Sequence, residues 1–289
     1  MRKRQVCILI TVKDDKENLK RCLLSLRNQT YKNFLLIIHD AFSSDGSYEI
    51  AKRFADKVIR KKATIPEGRN LLVEYALNLK PRFIGFVNSD VILPSNWLEE
   101  SIKYILKKRC DAVGTFQKIP ERLTERAVFF LLGQPYKDNP QKGNLPCEAV
   151  IIKREVLSKL KKKYGTFFQE RVRAGEDPEF WSRVLKEGYK ICYHPTLEIR
   201  HLQKISLLRF WRQQVIYGKG FADWKFVGYT HYSLKERVQN IVRSVINQIM
   251  SGGKIFILLP LVFFLLLKLL ANLYGFHKGV GEWLASRKI

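Results

Sequence analysis

The chain has 289 residues, 46% of them hydrophobic, which suffices for one large α/β domain with an appendage and excludes a disordered chain. Lys and Arg number 52 against 27 Asp and Glu, and the formal charge of +25 calls for a polyanionic partner: nucleic acid, anionic lipid or a phosphorylated ligand. Cys7, Cys22, Cys110, Cys147 and Cys192 form no C-x-x-C pair, so neither a zinc knuckle nor a disulfide framework is expected, and they read as reduced core thiols of a cytosolic protein.

Met1-Arg2-Lys3-Arg4 followed by apolar residues has the outline of a secretory signal, but Lys13-Asp14-Asp15 cuts the apolar run to residues 6–12. Those residues read as a strand buried on both faces. Residues 17–26 carry Leu19, Cys22, Leu23 and Leu26 at helical spacing; a strand over 34–38 ends at His39-Asp40, and a helix follows over 46–55. A short strand over 58–60, a helix over 67–79 and a strand over 83–87 that stops at Asn88-Ser89-Asp90 continue the alternation. The pattern predicts βαβ units with right-handed crossovers, and ligands at the carboxyl ends of the strands.

A helix over 97–108 and a strand over 111–115 come next, then an irregular stretch to about 145, read as an acceptor-side loop. A strand over 149–153 and a basic helix over 155–163 follow. Glu176-Asp177-Pro178-Glu179 opens a helix that stops at Gly188, with acids in its first turn where the helix dipole favours them, and 189–193 is the next strand. Aromatic and basic residues interleave over 207–224 (Phe210, Trp211, Arg212, Tyr217, Lys219), which suits a membrane interface or a lipid-linked phosphate.

Ser233 and Glu236 make a capping-box pattern ahead of an apolar face running from Leu234 to Ile249, and Gly252-Gly253 ends that helix. Residues 255–267 are uncharged, and with the stretch past Lys268 they approach the roughly 20 residues that a bilayer core asks of a helix. Pro260 and Lys268 weigh against spanning, and a hairpin or helix buried in an oligomer is the alternative. The chain thus divides into a catalytic domain, 1–230, and a helical tail, 231–289, whose segment 254–274 is transmembrane or interfacial.

The candidate chemistry sits at strand ends: Thr11, Lys13 and Asp14, then Asp40, then Arg69-Asn70 in the third helix, then Asp90, and later Glu176-Asp177. A diphosphate leaving group is served by a divalent cation, which takes carboxylate oxygens, and Asp90 is placed to supply one. Asp177 follows Ala174-Gly175, which permits close approach of a ligand, and is the better base. Local duties compete with these readings: a turn for Asp40 and Asp45, a helix cap for Glu176-Asp177, a structural role for His201.

The stretch ITVKDDKENLKRCLLSLRNQTYKNFLLIIHDAFSSDGS resembles the opening of the large family 2 of inverting glycosyltransferases with the GT-A fold. The order of the later pieces fits too: Arg69-Asn70, a D-x-D-like triplet followed by LPSNWLEE, a GED-x-x-FW-x-R-x-x-x-x-GY segment, and a His past the next strand, over roughly residues 5–225. The resemblance implies an α/β fold, a mixed and mostly parallel sheet flanked by helices. It implies inverting transfer from a UDP- or GDP-sugar to a hydroxyl or phosphate of a glycan or lipid-linked acceptor, by a membrane-associated enzyme whose catalytic domain faces the cytoplasm, with no nucleic-acid partner.

Residue by residue, Thr11, Lys13 and Asp14 match the loop that contacts the nucleotide, Asp40 the acid that reads the base, and Arg69 a residue near the diphosphate. Asp90 matches the ligand of a divalent metal, Mn²⁺ or Mg²⁺, and His201 a histidine of the metal or diphosphate shell. Asp177 matches the general base, with Glu176 beside it. Asn88 departs from the pattern: with Ser89 it is expected on the nucleotide-sugar side, where its amide accepts from a hydroxyl but brings no charge to a metal. A sugar nucleotidyltransferase would show a Gly-rich phosphate loop after the first strand, and residues 11–15 contain no glycine. A nucleic-acid-binding protein would show a recognisable module, and none is evident.

Overall fold

The computed structural model describes residues 5–132, 145–202, 206–228 and 258–286. The expected helix over 233–249 and the expected boundary near 230 lie outside these residues. The described chain forms two compact units, one of 5–118, 145–170 and 176–202, the other of 119–132, 171–175, 206–228 and 258–286.

The first unit is built on β1 (Val6–Val12), β2 (Phe34–Asp40), β3 (Lys57–Arg60), β4 (Phe83–Val87), β5 (Val91–Ile92), β6 (Ala112–Gln117), β7 (Ala149–Lys153) and β8 (Ile191–His201). They form one sheet in the order β3-β2-β1-β4-β7-β6-β8-β5. The pairs β1–β2, β1–β4, β2–β3 and β6–β8 are parallel, while β7 runs antiparallel between β4 and β6, and β5 antiparallel to β8. This is the mixed, mostly parallel sheet that the resemblance implies.

Alternation along β1 explains the layers. Ile8, Ile10 and Val12 enter a core shared with α1 (Lys16–Arg27), α2 (Ser47–Phe54) and α4 (Trp97–Lys108), through Leu19, Leu23, Ile50 and Trp97. Cys7 and Leu9 point the other way, toward α3 (Ile65–Asn78), α6 (Arg154–Tyr164) and α7 (Glu176–Lys186), where Leu72, Leu157, Phe180 and Trp181 are buried. A strand covered on both faces reads as the continuous apolar run seen in the sequence.

Three expectations need correction. Residues 119–145 are not all irregular: α5 (Leu123–Leu131) is a helix whose Ala127–Leu131 stretch is buried in the second unit. The last strand is not confined to 189–193; β8 runs to His201, and Pro195, which cannot donate a ladder hydrogen bond, sits where its pairing with β6 breaks between Tyr193 and Glu198. The thiols are not all reduced: Cys110 and Cys192, 82 residues apart, are disulfide-bonded, while Cys7, Cys22 and Cys147 are free and buried. Val113 lies opposite Cys192 in the β6–β8 ladder, so the bond follows from a strand pairing that spacing alone does not disclose.

In the second unit α5, α8 (Leu207–Phe226) and α9 (Leu258–Ser286) enclose a small core of Val128, Phe130, Phe210, Leu261 and Phe264. Arg173 pairs with Asp223 of α8 at 2.7 Å and with Glu282 of α9, which also takes Lys219 at 2.6 Å.

Candidate active site

The strands β1, β2 and β4 end at one edge of the sheet, and the candidate residues gather there. Asp40 closes β2 and is fully buried; its Oδ2 accepts from the Ser43 amide at 3.1 Å and pairs with Arg60 Nε at 3.3 Å. Its Oδ1 is buried without a partner, as is Thr11 Oγ1 on the neighbouring strand. Buried polar atoms without partners are costly, but these two do not face each other: Thr11 pairs with His39 on the α3 side of the sheet, and Asp40 pairs with Val12 on the opposite side.

Lys13 is exposed. Asp14 ties two loops together, its Oδ1 accepting from the Ser44 amide at 2.7 Å while its own amide donates to Ser43 Oγ at 3.0 Å.

Arg69 lies one turn into α3, whose start is fixed by a capping box in which Thr64 and Glu67 satisfy each other's backbone amides. The buried guanidinium is a junction. Nη1 donates to Glu176 Oε1 at 2.8 Å and to Asp177 Oδ1, and Nη2 reaches Asn88 Oδ1 at 3.3 Å. Burial opposes the charge, but Asp177 and Glu176 outweigh it and hold the Arg69 pKa above its ordinary value. The two acids occupy the first turn of α7, and Asp177 Oδ2 accepts the Cys147 amide at 3.0 Å. Pieces from residues 69, 88 and 176–177 thus meet within hydrogen-bond distance.

A second cluster adjoins the triplet. β5 follows it directly and pairs Val91 with His201, which brings the end of β8 beside Asp90. His201 Nε2 lies 3.0 Å from Asp90 Oδ2, and His201 Nδ1 lies 3.6 Å from Glu148 Oε1. Burial opposes protonation of His201, yet Glu148 and Asp90 together raise its pKa to about 9. Burial pushes Asp90 up, but His201 outweighs it and holds the carboxyl below its ordinary range. Glu148 goes the other way: its burial dominates and raises it.

Ser89 Oγ donates to Asp15 Oδ2 at 2.9 Å, so Asp15, not only Asp14, belongs to the neighbourhood of the triplet. Two residues near the site escaped the sequence reading. Asp15 was readable beside Asp14. Glu148 stands immediately before the apolar strand of β7, and its carbonyl accepts the Asn88 amide at 3.0 Å, but its place follows from the antiparallel return of β7 beside β4.

Among the described residues no group of three or more His, Cys, Asp and Glu forms a metal cage. A cation that displaced the proton of His201 would meet one carboxylate oxygen from Asp90 and one imidazole nitrogen, a partial donor set that fits a cation shared with a ligand's phosphates.

A sequence family described as Glycosyl transferase family 2 matches residues 7–160. Among named relatives, the glycosyltransferase GlyA of Streptococcus pneumoniae is 24% identical over 73% of this chain, which spans only 32% of that protein. The dolichyl N-acetyl-alpha-D-glucosaminyl phosphate 3-beta-D-2,3-diacetamido-2,3-dideoxy-beta-D-glucuronosyltransferase of Methanococcus voltae is 21% identical, with 95% of this chain and 97% of the relative covered. In fold, the chain is similar to the mannosyltransferase PcManGT of Pyrobaculum calidifontis, solved with GDP-Man and Mn²⁺, at a TM-score of 0.65 and 12% identity over 96% of this chain and 87% of that one.

Proposed function

Because the chain belongs to glycosyl transferase family 2, we propose that its site moves a sugar from a nucleotide-diphosphate donor to an acceptor hydroxyl or phosphate, with inversion at the anomeric carbon. The observation that carries this reading is the junction at Arg69, which joins Asn88 of the triplet to Glu176 and Asp177 of α7.

The base of the nucleotide sits over Asp40, whose unpartnered Oδ1 accepts one of its N–H groups, with Thr11, Lys13 and Asp14 bordering the nucleotide. Asn88 and Ser89 lie on the sugar side. Arg69 faces the diphosphate. Arrival of phosphate oxygens gives its guanidinium a third anionic partner, beside Glu176 and Asp177, and loosens its hold on Asp177. Asp177, helped by Glu176, then takes the proton of the acceptor hydroxyl as that oxygen attacks the anomeric carbon. The bond from that carbon to the diphosphate breaks on the opposite face, and the nucleoside diphosphate leaves. A divalent cation held by Asp90 and His201 would neutralise charge on the departing diphosphate.

UDP- and GDP-sugars are the donor classes to test, and the Methanococcus voltae relative, whose name includes a dolichyl phosphate, motivates a lipid-linked acceptor. Such an acceptor places the enzyme at a membrane, with the catalytic domain on the cytoplasmic side where nucleotide sugars are made.

A panel of nucleotide sugars with Mn²⁺ or Mg²⁺ tests the reading by release of nucleoside diphosphate. Asp177→Asn is expected to lower turnover by about 10²–10⁴-fold while leaving donor affinity within a few-fold. Normal transfer by that variant removes Asp177 from the role of base; no release from any donor overturns the reading as a whole.

A further inference from the structure

The outer face of α9 has no duty in the proposed reaction. Val262, Phe263, Leu266, Leu269, Leu270 and Leu273 recur at helical spacing along it, each between 50% and 61% exposed. Six large apolar side chains open to water on one helix stripe mark an interaction surface.

The opposite face of α9 is already committed. Leu261 and Phe264 join the small core, Lys268 Nζ donates to the Leu131 carbonyl, and Asn272 Nδ2 donates to Gln214 Oε1 at 3.1 Å. Backbones touch where α8 and α9 meet: a Cβ at Gly218 would lie 2.2 Å from the Asn272 carbonyl oxygen, and one at Gly275 would lie 2.1 Å from that of Val215. Phe210 packs on Phe264 at 5.1 Å and Phe226 stacks on Trp283 at 3.6 Å, so the two helices run parallel and in step. Whatever depth α9 takes in a bilayer, α8 must share.

α8 cannot go far. Arg209 and Arg212 are exposed, Arg209 level with the start of the apolar stripe beside the Phe210–Phe264 pair and Arg212 level with its middle, between that pair and Gln214–Asn272. An arginine carried to the centre of a bilayer is opposed by the desolvation of its charge. The stripe from Val262 to Leu273 rises about 17 Å at 1.5 Å per residue, well short of about 30 Å of hydrocarbon.

We propose that α9 lies in the plane of an anionic bilayer surface without crossing it. Its outer stripe enters the acyl chains, and Arg209, Arg212 and the exposed Lys278 meet the headgroups. A chain of formal charge +25 favours anionic over neutral lipid. This sharpens the membrane association proposed above, and its readout is vesicle binding, so it stands or falls separately from sugar transfer.

The test uses the full chain with sealed vesicles of phosphatidylcholine alone or with phosphatidylglycerol. The protein is expected to float with the anionic vesicles and to bind at least about tenfold more weakly to neutral ones or at high salt. Leu266→Glu with Leu270→Glu, both at exposed positions, should abolish flotation and leave the melting temperature unchanged. Ser286→Cys should react with a membrane-impermeant maleimide equally before and after the vesicles are opened by detergent. Labelling only after opening means that α9 crosses the bilayer and overturns the proposal. So does flotation that the paired glutamates leave intact, and so does absence of flotation, whether or not the stripe instead holds a second copy of the chain in a dimer.

Discussion

His201 stands between two carboxylates, with Asp90 on Nε2 and Glu148 on the Nδ1 side. That order is one in which the rear carboxylate fixes the ring and the front nitrogen faces a cation, a second partner that commonly orients metal-bound histidines. At 3.6 Å the Glu148 contact is a charge contact more than a hydrogen bond. Glu148→Gln keeps the shape and removes the charge, and is expected to weaken Mn²⁺ binding by about tenfold, toward the low end of what such partners contribute. Paramagnetic resonance of Mn²⁺ titrated with a nucleoside diphosphate present reads this without turnover; unchanged affinity would show that Glu148 does not position His201. Asp90 was legible as a strand-end residue and His201 through the family resemblance, but Glu148 was not, because its partner lies 53 residues away on a strand that no local pattern pairs with it.

At the scale of elements, the loops that follow β1 and β2 are tied by short polar side chains. Asp45, expected only to make a turn, accepts from the amides of Lys16 at 2.8 Å and Ser47 at 2.9 Å, and so serves the starts of α1 and α2 together. Its slight burial raises its pKa, but the bonds from Ser47 and Lys16 outweigh this and hold it below the usual 3.8. A depressed carboxyl stabilises the fold above the unfolded value and loses that contribution as pH falls through the folded one. Asp45→Ala should therefore cost about 1 kcal/mol or less near neutrality, an exposed site being screened, and match the parent protein at pH well below 3.8 in denaturant melts. A difference that persists in acid would assign the effect to packing. α3 is held differently: a Cβ at Gly68 would lie 2.4 Å from His39 Nδ1, inside a ring that is itself buried and bonded to the Lys61 carbonyl at 2.8 Å. Gly68→Ala is expected to destabilise by about 1–3 kcal/mol, as overpacking does, and to weaken nucleotide binding by displacing Arg69 one residue along. Calorimetric melting and titration with nucleoside diphosphate measure the two effects. The first four strands and their helices were readable because each is a local run with its own period. β5, two residues long, and the far half of β8 were not, since their pairing with each other and with β6 defines them.

Over the whole molecule, the sheet carries its chemistry at one end of the strands and its covalent tie at the other. Cys192 lies at the start of β8 and Cys110 just before β6, whereas His201 and Gln117 end those strands. Cys22 and Cys147, by contrast, are buried near the site, where desolvation pushes the Cys22 thiol far above its ordinary range and the Cys147 thiol well above it, so neither is a ready nucleophile. The single bond that composition argued against is thus placed to stabilise without touching the candidate site. Closing a loop with its ends 82 residues apart restricts the unfolded chain strongly, and reduction or Cys110→Ser should lower stability by about 2–4 kcal/mol. Donor affinity should stay within about twofold under conditions where the reduced protein remains folded, because additivity holds between distant sites. Denaturant unfolding with and without reductant gives the first number and titration with nucleoside diphosphate the second. A loss of donor binding in step with reduction, at a temperature well below the melting point, would show that the β6–β8 pair transmits strain to His201 and that the two ends of the sheet are coupled.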